Sequence, residues 1–497
     1  MFQDEEQEAV SFDSSWKTKR SVQDGACQTS EILTNEVETQ ALSQTDAMVQ
    51  TEKEDEKVAM TIQQEDSPEL LEFLLRIYPA VMAELEGNSR SHAFDGYDVD
   101  WEESSNTVQC LHTLTQAALE EKLEVTCLSW NPTGAVLAVS YGRYDHQDWC
   151  THKSFLCTWN LDRRSLNANK ADLAIDIPNC VMSIAFHPVT PSLIVVGTFN
   201  GAVYVYDIGK EDDPLIASSG VGENAHKDPI SQVMWFNDPA SKDKKNKIIS
   251  AGGDGKILVW RLSQSSKNLK LLSGFVIQTD SIPRSLRVSK ASGGSMVGVT
   301  CLSFSHEDKT TFIAGSEGGG VFKCSSNATT AATSEDIQSV PVHSPVTFAF
   351  HPYLSPIHSL CCSPHHRNLF LAAGADTIRL YNMLQLMPSL TIEPSCGYLY
   401  SVRWSYTRPA VFAIACGNGK VLLYDLKANR ISPVMTLEGC SKGSSVYTAE
   451  FNPSRKHLLA SGNSRGEVKV WKLNDDLVTL KSREQDILES LAVLHVD

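Results

Sequence analysis

Several things are missing from this chain, and each absence excludes a class of function. In 497 residues no apolar run approaches the ~18 needed to span a bilayer. The opening MFQDEEQEAVSF is acidic and lacks the apolar core of a secretory signal, so no export route is expected. There is no G-x-x-x-x-G-K-[ST] phosphate loop, no nucleophile elbow and no H-E-x-x-H. The Gly-rich stretch at Ser316 lies between two strand-like segments, the wrong context for a phosphate cradle that opens a helix. His187 and His351 each precede a proline, where a structural role fits better than general-base work. No enzyme activity, cofactor or resident metal is expected from these residues.

Positive charge is also scarce. The net charge is −17. Residues 1–66 hold 16 Asp/Glu against 5 Lys/Arg, so −11 of that total sits in the first 66 residues. Nucleic acid and anionic membrane are therefore poor partners, and protein partners are favoured. The 13 cysteines fall mostly on strand-like segments as small hydrophobes (Cys127, Cys157, Cys301, Cys416), which suits a reducing compartment, with cytosol as the default.

What is present is a repeat. Ile248 to Leu262, IISAGGDGKILVWRL, reads as two strands around a Gly-Gly-Asp-Gly turn, the second ending in tryptophan. His226, Ser250, Asp254 and Trp260 stand in the order of the hydrogen-bonded relay of a WD-repeat blade. Six further copies follow the same pattern: Val125–Leu161, Val181–Ile208, Val299–Cys324, Ile357–Met383, Leu399–Leu426 and Val446–Leu473. A blade exposes apolar residues on both faces of its sheet, so blades are stable only when stacked into a closed ring. Seven copies predict an all-β fold, a seven-bladed WD-repeat β-propeller over residues 107–481. A terminal strand is expected to close the ring, Thr107 to Thr115 beside the seventh copy, with Asp476 to Lys481 as the rival.

Around this ring lie other segments. Residues 1–66 have three aromatics and no sustained period, and are read as a disordered acidic tail. Gln-Thr recurs within it, at Cys27-Gln28-Thr29, Ser43-Gln44-Thr45 and Val49-Gln50-Thr51, with a related Thr39-Gln40. Such extended segments suit strand addition to an exposed sheet edge, and several tethered copies favour a dimeric receptor. The segments resemble the TQT-type anchor taken by the small dynein light-chain hub, a dimer.

Residues 67–87, SPELLEFLLRIYPAVMAELEG, carry the strongest helical pattern. Ser67 is the candidate N-cap, Pro68 the first helical position and Gly87 the stop. Leu70, Leu71, Leu74, Leu75 and Tyr78 form an apolar stripe that requires a partner. Pro79 is expected to kink or divide the helix. Residues 88–106 read as a linker and 482–497 as a short C-terminal helix or tail, through Ile487, Leu488, Leu491 and Leu494. Asn237–Lys247, with a lysine cluster, and Gln264–Val297 read as solvated loops. The first copy swells at Tyr141 to Lys153, where Arg143, Tyr144 and Trp149 are candidate contacts for a protein partner. Cys150, His152 and Cys157 in the same region lack the spacing of a zinc site.

The phrases SWNPTGAVLAVSYG, NCVMSIAFHPVTPSLIVVGTFNG, ISAGGDGKILVW and YSVRWSYTRPAVFAIACGNGKVLLYDL resemble the blades of dynein intermediate chains. The likeness covers nearly the whole chain. Within that family it points to the shorter chains of the second cytoplasmic dynein, the intraflagellar-transport motor, because an N-terminal coiled-coil helix is lacking. The resemblance implies a non-catalytic scaffold. Its propeller would hold the dynein heavy chain, its Gln-Thr segments the light-chain hub dimer, and its Leu70–Tyr78 stripe a roadblock-type light chain, beside a second, different intermediate chain. The implied location is cytoplasm and cytoskeleton, cilium and ciliary base. The rival reading is a generic WD-repeat adaptor, such as a ubiquitin-ligase substrate receptor.

Overall fold

The computed structural model describes residues 68–90 and 108–493, apart from 118–122, 147–148, 211, 221, 223, 238–245, 264–266, 285–294, 333–338 and 441–442. The Gln-Thr segments and Ser67 lie outside the described residues, as do Lys242, Lys244 and Lys245. No described helix is long and apolar enough to cross a membrane.

Residues 109–472 fold into seven small sheets arranged as the blades of a propeller, numbered here from the N-terminal side. Blade 3 illustrates how sequence produces the unit. Ile230–Phe236, Lys247–Gly252, Lys256–Leu262 and Leu269–Val276 pair antiparallel in chain order. The tight turn at Asp254-Gly255 is possible because Gly255 has φ +73°, where a side chain would be strained. Side chains alternate between the two faces of the sheet. Ile248, Leu258 and Trp260 pack in the cluster shared with blade 2, whereas Ile249, Ala251, Ile257 and Val259 pack in the cluster shared with blade 4. The buried core consists of seven such clusters, one between each adjacent pair of blades.

Ring closure is by Gln109–Leu114, which runs antiparallel to Val468–Lys472 with Leu114 opposite Val468. Blade 7 is thereby built from both ends of the propeller sequence, and Leu114 joins the blade 7–blade 1 cluster. The rival segment takes no part: Asp475–Val478 is a short helix, α2, capped by the Asn474 side chain.

One expectation about loops is corrected. Gln264–Val297 is not simply a solvated loop, because Leu269–Val276 is the fourth strand of blade 3 and contributes buried Leu269, Phe275 and Val276. A fifth strand, Val342–His343, adds to it in parallel. The C-terminal helix, α3 (Glu484–Ala492), is docked by Leu488 and Leu491 into the blade 5–blade 6 cluster. Its Glu484 meets Arg408, a fully buried guanidinium that also bonds Asp425 at 2.8 Å and the Asp476 carbonyl. Three acceptors satisfy that cation in a site where an unpaired charge would be untenable.

The first helix, α1, is Pro68–Arg90. It is one element: Pro79 does not divide it, and Gly87 lies inside it rather than stopping it. Proline removes a single donor, a loss that the hydrogen bonds on either side can absorb.

Candidate partner-binding surfaces

In helix α1, Leu70, Leu71, Leu74, Leu75 and Tyr78 are all exposed, Leu75 by 67%. Val81, Met82 and Leu85 are also exposed and continue the same face beyond Pro79. The sequence reading missed them because it ended the stripe at the proline. Their spacing from Leu70 and Leu74 was the available signal.

The four relay residues of blade 3 come together. His226 Nδ1 lies 3.0 Å from Asp254 Oδ1, and its Nε2 lies 2.8 Å from Ser250 Oγ, which also accepts from Trp260 Nε1 at 2.8 Å. A carboxylate only accepts, so Nδ1 carries the proton and Ser250 donates to Nε2. Burial pushes the Asp254 carboxyl upward, but the His226 hydrogen bond, the nearby Lys256 charge and the Lys227 amide outweigh it, leaving its pKa below the ordinary 3.8. The relay ties the loop before the blade to its second and third strands and is structural. His187 is occupied too: Nδ1 accepts from the Val189 and Thr190 amides, and Nε2 lies 3.0 Å from the Asn246 amide nitrogen.

The expanded blade 1 loop does not present its three candidates alike. Arg143 is held by Asp145 through two short bonds, 2.8 and 2.6 Å. Trp149 is exposed. Tyr144 reaches back to the channel, its hydroxyl donating to the Thr126 carbonyl at 3.3 Å and its ring lying 5.0 Å from that of Tyr447.

In this same region the donor atoms of His146, Cys150 and His152 lie within 4.8 Å of one another. Cys157 is not with them. It sits on the third strand of blade 1, where burial pushes its thiol up to about 12, far from a ligating thiolate at neutral pH. His146, Cys150 and His152 could supply three of the four ligands that zinc takes.

The channel through the ring has a volume of about 1190 Å³ and is walled by the first strand of each blade. Those strands run the same way: Tyr447 near the start of the blade 7 strand meets Glu124 at the start of the blade 1 strand, and Trp130 at that strand's end donates to the Glu450 backbone carbonyl. Aligning the seven copies on their first strands puts Thr126, Met182, Ser231, Thr300, His358, Tyr400 and Tyr447 at one wall position. Aromatics therefore line one sector, blades 5 to 7. Tyr144 joins that sector from blade 1, with Tyr447 4.9 Å from Tyr400 and Tyr398 6.2 Å from Tyr400. Deeper in the channel stand Glu450, raised by burial, and Arg403, whose pKa is lowered by burial but raised overall by Glu450.

The fold and its relay define a WD-repeat propeller preceded by a helix. Residues 431–472, which cover the last strand of blade 6 and the three C-terminal strands of blade 7, match the WD domain, G-beta repeat family model. The chain is 42% identical to mouse cytoplasmic dynein 2 intermediate chain 2 over 98% of its own length and 92% of that protein's. It is likewise 42% identical to the human cytoplasmic dynein 2 intermediate chain 2, over 86% and 80%. Human dynein axonemal intermediate chain 2 is 24% identical over 75% of this chain and 56% of its own. On this evidence the chain belongs to the dynein intermediate chain family.

Proposed function

We propose that this chain is a non-catalytic intermediate chain of the intraflagellar-transport dynein, joining light chains to the heavy-chain tail for retrograde ciliary transport and cilium assembly. The observation that carries this reading is the 42% identity with a dynein 2 intermediate chain along 98% of the chain, tail and propeller together. The propeller is the rigid grip on the heavy chain, with the blade 1 loop (Arg143, Tyr144, Trp149) as its contact. The segments at Cys27, Gln28, Thr29, Thr39, Gln40, Ser43, Gln44, Thr45, Val49, Gln50 and Thr51 recruit the light-chain hub dimer by strand addition. The exposed face of helix α1 seats a roadblock-type light chain, because an apolar stripe of that width is stable only when covered. Bivalent light chains then hold a second, different intermediate chain alongside. Its place is the cytoskeleton, at the cilium and its base.

Affinity purification of the complex tests the division of labour. Replacing Gln28, Gln44 and Gln50 with Ala should abolish recovery of the hub while leaving heavy chain and roadblock-type chain in place. Leu71→Asp with Leu75→Asp should release the roadblock-type chain alone. Loss of the heavy chain in either variant overturns the assignment.

A further inference from the structure

We propose that the entry end of the propeller channel, at the sector between blades 5 and 1, is a binding site for a lysine or arginine side chain presented by a protein partner. Three observations place it there. The first is the arc of rings. Tyr144, Tyr447 and Tyr400 meet edge to face, at 5.0 Å and 69° and then 4.9 Å and 88°, and Tyr398 and His358 continue the series. Tyr398 and Tyr144 are about half exposed, so ring faces are open to a ligand. The matching wall positions of blades 1 to 4 carry Thr126, Met182, Ser231 and Thr300, so the arc is confined to one side of the mouth.

The second observation is a carboxylate with no contact ion pair among the described residues. Glu124, at the start of the blade 1 inner strand, is partly buried behind these rings. Burial raises its pKa, and its polar contact is the Tyr447 hydroxyl at 3.5 Å, the outer limit of a hydrogen bond. Among the described residues, no lysine or arginine nitrogen lies within ion-pair distance of it. The third observation is that the nearest guanidinium is committed: Arg143 is neutralised by Asp145. Arg403, the other cation of this sector, lies deeper, near the far end of its strand, beside Glu450. The mouth therefore combines aromatic faces with a carboxylate that no described lysine or arginine pairs with at contact distance. A cationic side chain fits both: its head pairs with the carboxylate and its stem or guanidinium plane lies on tyrosine. An acidic side chain would face Glu124 with like charge. This site does not depend on which dynein subunit supplies the side chain.

The test is calorimetric titration of the full chain with capped pentapeptides that differ only at a central residue among four alanines. Arginine and lysine peptides should bind, and the citrulline peptide, isosteric with arginine but neutral, should bind about tenfold more weakly. Glu124→Gln should weaken the arginine peptide about tenfold without moving the thermal midpoint. Tyr447→Ala should do the same, whereas Val189→Ala, at the opposite end of the channel, should leave binding unchanged. Equal binding of arginine and citrulline peptides, preference for a glutamate peptide, insensitivity to Glu124→Gln or no binding by any peptide would overturn the proposal. Because Glu124→Gln changes charge and not shape, it keeps the test decisive even if Tyr447→Ala fails to fold.

Discussion

Blades 3 and 1 show two ways of supporting the same tryptophan. In each, the third strand brings an indole beside the second: Trp260 stands opposite Ile248, and Trp159 opposite Leu137. Two residues further along the second strand, blade 3 has Ser250, which accepts the indole N–H, whereas blade 1 has Val139. Trp159 Nε1 is consequently buried with no hydrogen-bond partner. Blade 7 follows blade 3, with Trp471 donating to Ser461 at 2.9 Å. One hydroxyl decides whether an indole is tied or merely packed. The difference indicates that blade 1 is held by apolar packing between blades 7 and 2, whereas blade 3 also has its own polar brace.

The largest expected effect comes from cutting the brace at its charged end. Asp254→Ala leaves His226 without its acceptor and buried Lys256, 3.3 Å away, without its carboxylate. It should cost about 3–5 kcal/mol in chemical denaturation. The same carboxylate sets a pH dependence. Its pKa is lower in the folded state than the ordinary 3.8, so the stability it contributes is present above that value. That contribution is lost as pH falls through the folded value, and Asp254→Asn should flatten this acid limb. Next in size is Ser250→Ala, which strands the Trp260 and His226 nitrogens and should cost about 1–3 kcal/mol. The smallest change sharpens the comparison from the other side. Val139→Thr gives Trp159 an acceptor, so it should be about 1 kcal/mol less costly than Val195→Thr, an equally buried valine. Equal costs would show that the orphaned indole is of no consequence.

Much of this arrangement was legible in the sequence. The first three strands of every blade announce themselves by alternation and a Gly- or Asp-containing turn, and the relay is readable because its members keep a fixed order. The fourth strands were not. Leu215–Ser218 and Met435–Glu438 are short outer strands with one neighbour, so little in their pattern distinguishes them from loop. Arg408 reads as an ordinary surface arginine until Asp425 and Glu484, 17 and 76 residues away, are seen around it.

By itself the sequence determined the repeat number, the two-faced apolar character of each blade and hence a closed ring, because period-2 burial is a local property of the chain. Only the tertiary structure decided which residues share the channel mouth. Glu124 and Tyr447 are 323 residues apart and meet because closure by Gln109–Leu114 sets the first blade against the last. Contacts made by ring closure depend on the summed geometry of all seven blades, and no local pattern encodes that sum.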